Sequence, residues 1–587
     1  MNETITVAEY LTLRLREIGV QHVFTIPGDY CAPFLDVLDA TEGIERVPNI
    51  LELGCGYAAD GYARLKGAGA ACVQYGVGTM SLLNCVAGSF VEFVPVAIIS
   101  SSPGSSSRLL EEHQNILFHH STGDLRVNQK LFAHVTVASV VVTDTAFAPE
   151  QIDNALTVML TWLRPVYIEV IASAWKLPCA SPVGRLSAKK PASVSTSVTA
   201  AVKAAYAALA AASQPVFFFG IELQRQGLQK LVQELVDVAG IPFTTTSLGK
   251  TLLDERQPLF AGTYAGPASP DSTNNLMTTS DCVCALGTII TDDYLALMAN
   301  SFSEMIRVSH DETRVGLTYF ADVSLADFLR ALLAALKQTP LTHRPAVLPA
   351  LPRLSMPSHS TPVRPLTYEI FYEMLGGFLL NSVMLESSVL VLGESTSLYV
   401  FGNLFGLPAN AFVAQAAWGS LGHETGSALG IALGSGKRPL VIAGDGGFMM
   451  QCQEISSLVQ AKTDAVIFVM SNRGYAIEQA FVDLKAFEPG GKFAPYDELP
   501  TWDYLALAKA FGAQGLRLAN TSDLLLFLDK LEGNTSGPLL VEVVIPEHDL
   551  PPQLKRLAEP PPTLLKYGRS ESSVSSESAS RKRARLR

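Results

Sequence analysis

Two short stretches combine residue types suited to metal and phosphate chemistry. Gly-Asp-Gly-Gly at 444–447 follows the apolar run 440–443, and Ser471-Asn472 follows a second apolar run, 465–470. Each run reads as a buried strand that delivers polar groups to its carboxyl end. In a right-handed βαβ unit both ends lie on one sheet edge, so Asp445 and Asn472, 27 positions apart, can meet. A carboxylate oxygen, an amide oxygen and a nearby backbone carbonyl are hard ligands suited to Mg2+. Gly444, Gly446 and Gly447 would let the backbone approach a diphosphate at the start of the next helix. A lone Gly-Asp-Gly is often only a turn; the strand contexts favour the metal. Far away in the chain, Phe-His-His-Ser-Thr-Gly-Asp at 118–124 sets His119 beside His120, two of only 10 histidines. Adjacent histidines are poorly spaced as metal ligands and are commonly just solvated, but imidazole is also the side chain that exchanges protons near neutral pH.

The elements that must position these groups read as α/β throughout. Apolar runs at 71–78, 94–101, 215–221, 281–290, 388–394 and 439–447 alternate with helical patterns such as 6–20 and 228–241, as expected of parallel sheets covered on both faces. Two polar, Pro- and Ser-containing stretches, 181–197 and 341–365, divide the chain. The expected architecture is three doubly wound parallel-sheet domains: 1–183, 196–342 and, after a linker at 343–364, 365–550. A tail at 551–587 is expected to be disordered at its end, where Arg581, Lys582, Arg583, Arg585 and Arg587 form a basic cluster. That cluster reads as a solvated end, with nuclear import as the lesser alternative.

Composition limits the function classes. Of 587 residues 17% are charged and the net charge is −12, which argues against a nucleic-acid binder. No long uninterrupted apolar stretch or signal-like N-terminus is present, so a soluble, cytoplasmic protein without a membrane partner is expected. Eight scattered cysteines without paired C-x-x-C ligand sets point to reduced thiols rather than zinc or disulfides.

The segment 444–479 resembles the thiamine-diphosphate-dependent enzymes, whose signature is Gly-Asp-Gly followed, after a helix and strand, by an asparagine. The resemblance implies Asp445, Asn472 and the Gly474 carbonyl as Mg2+ ligands, with Ser471 where the family usually has a first Asn. LELGCGYAADGYAR (51–64) resembles the family's glutamate segment, which implies that Glu52 is the carboxyl group, buried and raised in pKa, that protonates the cofactor's aminopyrimidine. Leu51 and Gly54 stand where the family commonly has Asn, which implies altered packing around the glutamate. IPGDYCAPFLD (26–36) and ILFHHSTGD match segments that supply catalytic Asp29, His119 and His120. YAIEQ supplies Ile477 beside the cofactor and Glu478 beside the substrate carboxylate. WGSLG (418–422) matches the segment whose Gly419 carbonyl accepts from the aminopyrimidine and whose Leu421 enforces the cofactor's V shape; GESTSLYVF (393–401) places Thr396 near the cofactor.

Together these segments resemble the pyruvate, indolepyruvate and branched-chain 2-oxo acid decarboxylases over roughly residues 3 to 550. The implied activity is non-oxidative decarboxylation of a 2-oxo acid to an aldehyde and CO2 through an enamine on thiamine diphosphate, with a proton relay of Asp29, His119, His120 and Glu478. The implied assembly is a homodimer or homotetramer with each active site shared between subunits. Leu398 and Phe481 fall at pocket positions where relatives can carry a bulky aromatic and an isoleucine, so a preference for larger hydrophobic or aromatic 2-oxo acids is expected. The competing readings are pyruvate decarboxylase proper, an acetolactate-synthase-type carboligase, a benzoylformate-type decarboxylase and a non-catalytic binding paralogue.

Overall fold

The computed structural model describes residues 4–190, 192–342, 348, 351, 353–532 and 536–559. The first sheet is six-stranded and wholly parallel, in the order Glu45–Pro48, His22–Thr25, Gly69–Gln74, Val96–Ser102, Val166–Ile171 and Ala138–Val142. Its three strands Gly69–Gln74, Val96–Ser102 and Val166–Ile171 are buried along their whole length, which is why they read as unbroken runs rather than alternations. The third sheet is again six-stranded and parallel: Phe412–Ala414, Ser388–Leu392, Arg438–Gly444, Val466–Ser471, Leu539–Val544 and Gln514–Leu518. Between them a seven-stranded sheet has a parallel centre and an antiparallel edge made by Ile306–Val308, Thr313–Val315 and Thr318–Tyr319. These edge connections are too short for a parallel crossover, so the chain turns back on itself, once at Gly316 with φ 57°. Three doubly wound α/β units are therefore present, as the alternating runs imply.

Local details differ from the sequence reading. The run 71–78 is strand only to Gln74, because Gly76 takes φ 68° and a short helix, Val77–Ser81, begins. The helix expected after the Gly-Asp-Gly turn divides into Asp445–Gln451 and Glu454–Gln460. Beyond Pro551 the chain first forms the helix Pro552–Ala558, fixed where the Arg556 guanidinium donates to the carbonyls of Pro267, Ala268 and Ser269. The basic residues 581–587 lie outside the described residues. Among the described residues no helix is long and apolar enough to cross a membrane.

The first and third units are joined within the chain by two helices, Glu52–Lys66 and His423–Ser435. A Cβ on Gly430 would overlap the Ala58 carbonyl, and one on Gly61 would lie 2.6 Å from the Ser427 carbonyl, so the missing side chains let the two backbones approach. A buried polar cluster crosses the same seam. Arg64 pairs with Asp60 (2.6 Å) and Glu92 (2.7 Å), and the His423 ring meets Asp60 at 2.8 Å. Burial alone would raise the Asp60 carboxyl, but Arg64 and His423 hold it well below the usual carboxylate range.

Candidate active site

At the carboxyl edge of the third sheet, the parallel neighbours Arg438–Gly444 and Val466–Ser471 bring Asp445 to the loop that follows Asn472. Asp445 Oδ2 accepts from the Arg473 backbone N–H at 2.6 Å, and Oδ1 accepts from Gly446 N–H at 3.0 Å. Asp445 and Asn472 are both buried, at 2% and 4% exposure. The Arg473 side chain turns instead to Glu547 (2.8 Å). Desolvation therefore pushes the Asp445 carboxyl up to about 7, against the lowering effect of those backbone donors. Gly474 is buried and forms an antiparallel bridge with Glu498.

The glycines of this turn also make room for side chains. A Cβ on Gly446 would overlap the Tyr475 ring, one on Gly447 would lie 2.7 Å from a Glu424 carboxylate oxygen, and one on Gly444 would rest on Ser395 at 3.4 Å. Glu424 is 1% exposed, and burial pushes its carboxyl up to about 7. Glu394, which lies against Gly419, is pushed by burial to about 8. Neither acid emerged from sequence reasoning, although the Gly-Glu-Ser-Thr-Ser run contains Glu394. Thr396 is buried and opens the helix Thr396–Phe401, whose start is capped by Ser395. Leu398 lies in the hydrophobic core of the third unit. Gly419 takes φ 65° in a loop whose neighbours are held by the first unit. Glu92 accepts from the backbone N–H groups of Ala417 (2.8 Å) and Trp418 (3.0 Å), and the Tyr57 and Ser420 hydroxyls meet at 2.7 Å. Leu421 follows, half-buried, and Ile477 packs against the core beneath the helix Ala476–Val482. Glu478 is exposed on that helix.

At the carboxyl edge of the first sheet, Asp29, His119 and His120 are all exposed. Gln74 Nε2 donates to Asp29 Oδ1 at 2.7 Å, and the Tyr75 hydroxyl donates to the His119 carbonyl. The two imidazole centroids are 6.3 Å apart. Glu52 opens the helix Glu52–Lys66 and is half-buried in the isolated chain, not fully buried as its sequence context implies. Just below it, the buried Glu454 of the third unit accepts from Asn49 Nδ2 (3.0 Å), Leu51 N–H (3.1 Å) and the Ser457 hydroxyl (2.7 Å). Its carboxylate occupies the space that a side chain at position 54 would need. Gly54 thus has a structural partner that sequence reasoning missed.

The structure sets Glu424 against the turn that carries Asp445, and ties Asp29 and the histidine pair to the adjacent residues Gln74 and Tyr75. Among the described residues no hydrogen bond or ion pair joins Glu52, Asp29, His119 or His120 to Asp445, Asn472 or Glu478. The donor set around Asp445 fits a divalent cation. It offers a buried carboxylate without a cationic side chain beside it, with the buried Asn472 amide and the Gly474 backbone on the neighbouring loop, and a bound cation would supply the missing positive charge.

Three family profiles match the chain in order: the thiamine pyrophosphate enzyme N-terminal TPP binding domain over residues 5–122, the central domain over 202–336, and the C-terminal TPP binding domain over 399–543. The fold and its cation-ready edge are thus those of a thiamine diphosphate enzyme. The chain is similar to the pyruvate decarboxylase of Candida glabrata, 30% identical over 567 residues that cover 94% of this chain and 97% of the relative. It is also similar to pyruvate decarboxylase isozyme 1 of Saccharomyces cerevisiae, 29% identical over 580 residues with 94% and 98% covered, and to the pyruvate decarboxylase of Aspergillus fumigatus, 29% over 583 residues with 95% and 97% covered. The chain belongs to the thiamine-diphosphate-dependent 2-oxo acid decarboxylase family, with thiamine diphosphate and Mg2+ as its cofactors.

Proposed function

We propose that this chain decarboxylates larger hydrophobic or aromatic 2-oxo acids in preference to pyruvate, at a site completed by a second copy of itself. The observation that carries the substrate reading is one face of the helix Ala476–Val482. Glu478, Phe481 and Val482 stand at i, i+3 and i+4, and all three are exposed, the last two at 52% and 61%. A carboxyl group that shares a proton with a substrate carboxylate, flanked by an apolar wall, suits a substrate with a carboxylate at one end and a bulky apolar group at the other. Leu398 sits in the core, so it contributes less to this reading than Phe481. Pyruvate is the second reading, favoured by the names of the relatives.

Bound thiamine diphosphate supplies the carbanion chemistry and the electron sink. Asp445, Asn472 and the Gly474 carbonyl would hold Mg2+, and Thr396, Gly444, Gly446, Gly447 and Ile477 would line the cofactor. Leu421 would pack against it, and the Gly419 carbonyl would accept a hydrogen bond from it. Glu52 would hold a proton toward its aminopyrimidine. Asp29, His119, His120 and Glu478 move protons near the substrate carboxylate and deliver one before the aldehyde leaves.

Support for the second copy comes from exposure. The residues assigned to the relay are open in the single chain, and the same two units expose large apolar side chains: Ile50, Val77 and Leu117 on one and Trp418, Tyr496 and Phe481 on the other, from 41% to 71% exposed. The test is a ranking of kcat/KM over pyruvate, 2-oxoisocaproate, phenylpyruvate and indolepyruvate. A higher value for phenylpyruvate than for pyruvate is expected, and the reverse order overturns the substrate proposal.

A further inference from the structure

The strand Gly69–Gln74 ends between the two groups assigned to the relay, and its last residue and the next one touch both. Gln74 is 8% exposed, and its Nε2 donates to Asp29 Oδ1 at 2.7 Å. Its other amide atom, Oε1, faces the Cys31 thiol at 3.9 Å, whose nearer acceptor is the Val73 carbonyl at 3.4 Å. Gly28 packs flat against this amide, since any Cβ there would overlap Gln74 Oε1 and come within 2.8 Å of its Cδ. The side chain is therefore fixed from three sides. Tyr75 is 3% exposed; its hydroxyl donates to the His119 carbonyl, and its ring meets the His120 ring edge-on at 6.1 Å and the Tyr30 ring at 5.8 Å. The loop it holds is otherwise strained: His120 has φ 71°, a left-handed conformation uncommon for a residue with a side chain. Beyond it, the Ser121 hydroxyl donates to the buried Glu111.

We propose that Gln74 and Tyr75 are positioning residues for the decarboxylation, Gln74 presenting Asp29 and Tyr75 seating the His119–His120 loop from adjacent places on one strand end. The inference rests on the reading of Asp29 and the histidines as the relay. An amide N–H can only donate to Asp29, so it engages one carboxylate oxygen and fixes the carboxyl plane, while the Tyr75 bond fixes the backbone from which both imidazoles project. Gln74 ends, and Tyr75 follows, a strand buried along its whole length, which suits groups that must hold reacting atoms to within a fraction of an ångström.

The test compares wild type with Gln74→Met, Gln74→Glu, Tyr75→Phe and Asp29→Asn in the holoenzyme, measuring kcat and KM for one 2-oxo acid from pH 5 to 8. Thiamine diphosphate affinity, read by tryptophan fluorescence, serves as the check on folding. Gln74→Met is expected to lower kcat about 10- to 100-fold with KM and cofactor affinity changed less than about twofold. Gln74→Glu sets two carboxylates face to face. Its kcat relative to wild type is expected to rise as pH falls, because a shared proton restores a donor toward Asp29. Tyr30, Cys31, Tyr75, Glu111, His119 and His120 also face this site, and taking the ratio to wild type removes their common titration. Tyr75→Phe is expected to lower kcat about 3- to 10-fold. A Gln74→Met enzyme within twofold of wild type, or a Gln74→Glu ratio flat with pH, overturns the positioning role while leaving the relay standing if Asp29→Asn is impaired. An Asp29→Asn enzyme with wild-type kcat overturns the relay reading itself.

Discussion

Replacing Gly54 by Ala probes the seam beneath Glu52. An added Cβ would overlap the Glu454 carboxylate and stand 2.7 Å from its Cγ. Glu454 is 1% exposed and bonded to Asn49, Leu51 and Ser457, so it has no free direction in which to retreat. Moving it breaks the bonds from Asn49 Nδ2 and Leu51 N–H, each a hydrogen bond to a charged acceptor worth about 1.5–3 kcal/mol. Against that, Ala in a helix interior is favoured over Gly by about 1 kcal/mol. The expected balance is a loss of about 2–5 kcal/mol, together with reduced turnover because Leu51 sets the start of the helix that carries Glu52. The assay is calorimetric unfolding of wild type, Gly54→Ala, Glu454→Ala and the double variant. In the Glu454→Ala background the Gly54→Ala change should become neutral or stabilising. A Gly54→Ala protein as stable as wild type, or a double variant that shows simple additivity, would refute the steric coupling.

Glu52→Gln is expected to lower kcat by at least about 100-fold while thiamine diphosphate still binds, as equilibrium dialysis would show; near-normal turnover would remove Glu52 from the chemistry. Asp445→Asn keeps an acceptor for Arg473 N–H but loses the charge, so Mg2+-dependent cofactor affinity should fall at least about 10-fold, and a chelator should release cofactor from wild type more slowly than from the variant. Burial pushes the Glu222 carboxyl, 2% exposed, up to about 8 from its ordinary 4.5. A raised acid contributes stability that is complete below the unfolded pKa and lost as pH rises through the folded one. The stability advantage of Glu222→Gln over wild type should therefore grow between about pH 4.5 and pH 8, by at most about 1.4 kcal/mol per unit, and then level off. Denaturant melts across that range check it, and an advantage independent of pH would contradict the burial.

Much of this was legible because buried parallel strands announce themselves. Pro215–Phe219 and Ser388–Leu392 are buried along their whole length, and the turns after Arg438–Gly444 and Val466–Ser471 carry the polar groups to one edge by topology alone. The strand-ending Gly76 was harder, because the His120 carbonyl that fills the place of a Cβ there is remote in sequence. Gly54 showed as a departure in the sequence, but its cause is a carboxylate 400 positions further along the chain. Glu424 and Gln74 carry no motif, and Glu394 lies in the 393–401 run without showing there as an acid set against Gly419; only packing reveals that Glu424 and Gln74 are buried. The antiparallel edge of the middle sheet likewise depends on turn lengths that periodicity does not resolve.

The central claim is tested most directly by following aldehyde and CO2 release from a 2-oxo acid panel with dialysed protein, adding thiamine diphosphate and Mg2+ separately and together. Equal amounts of aldehyde and CO2 that appear only when both cofactors are present is the predicted result. No aldehyde from any acid with both present, or acyloin as the main product, would contradict the decarboxylase reading.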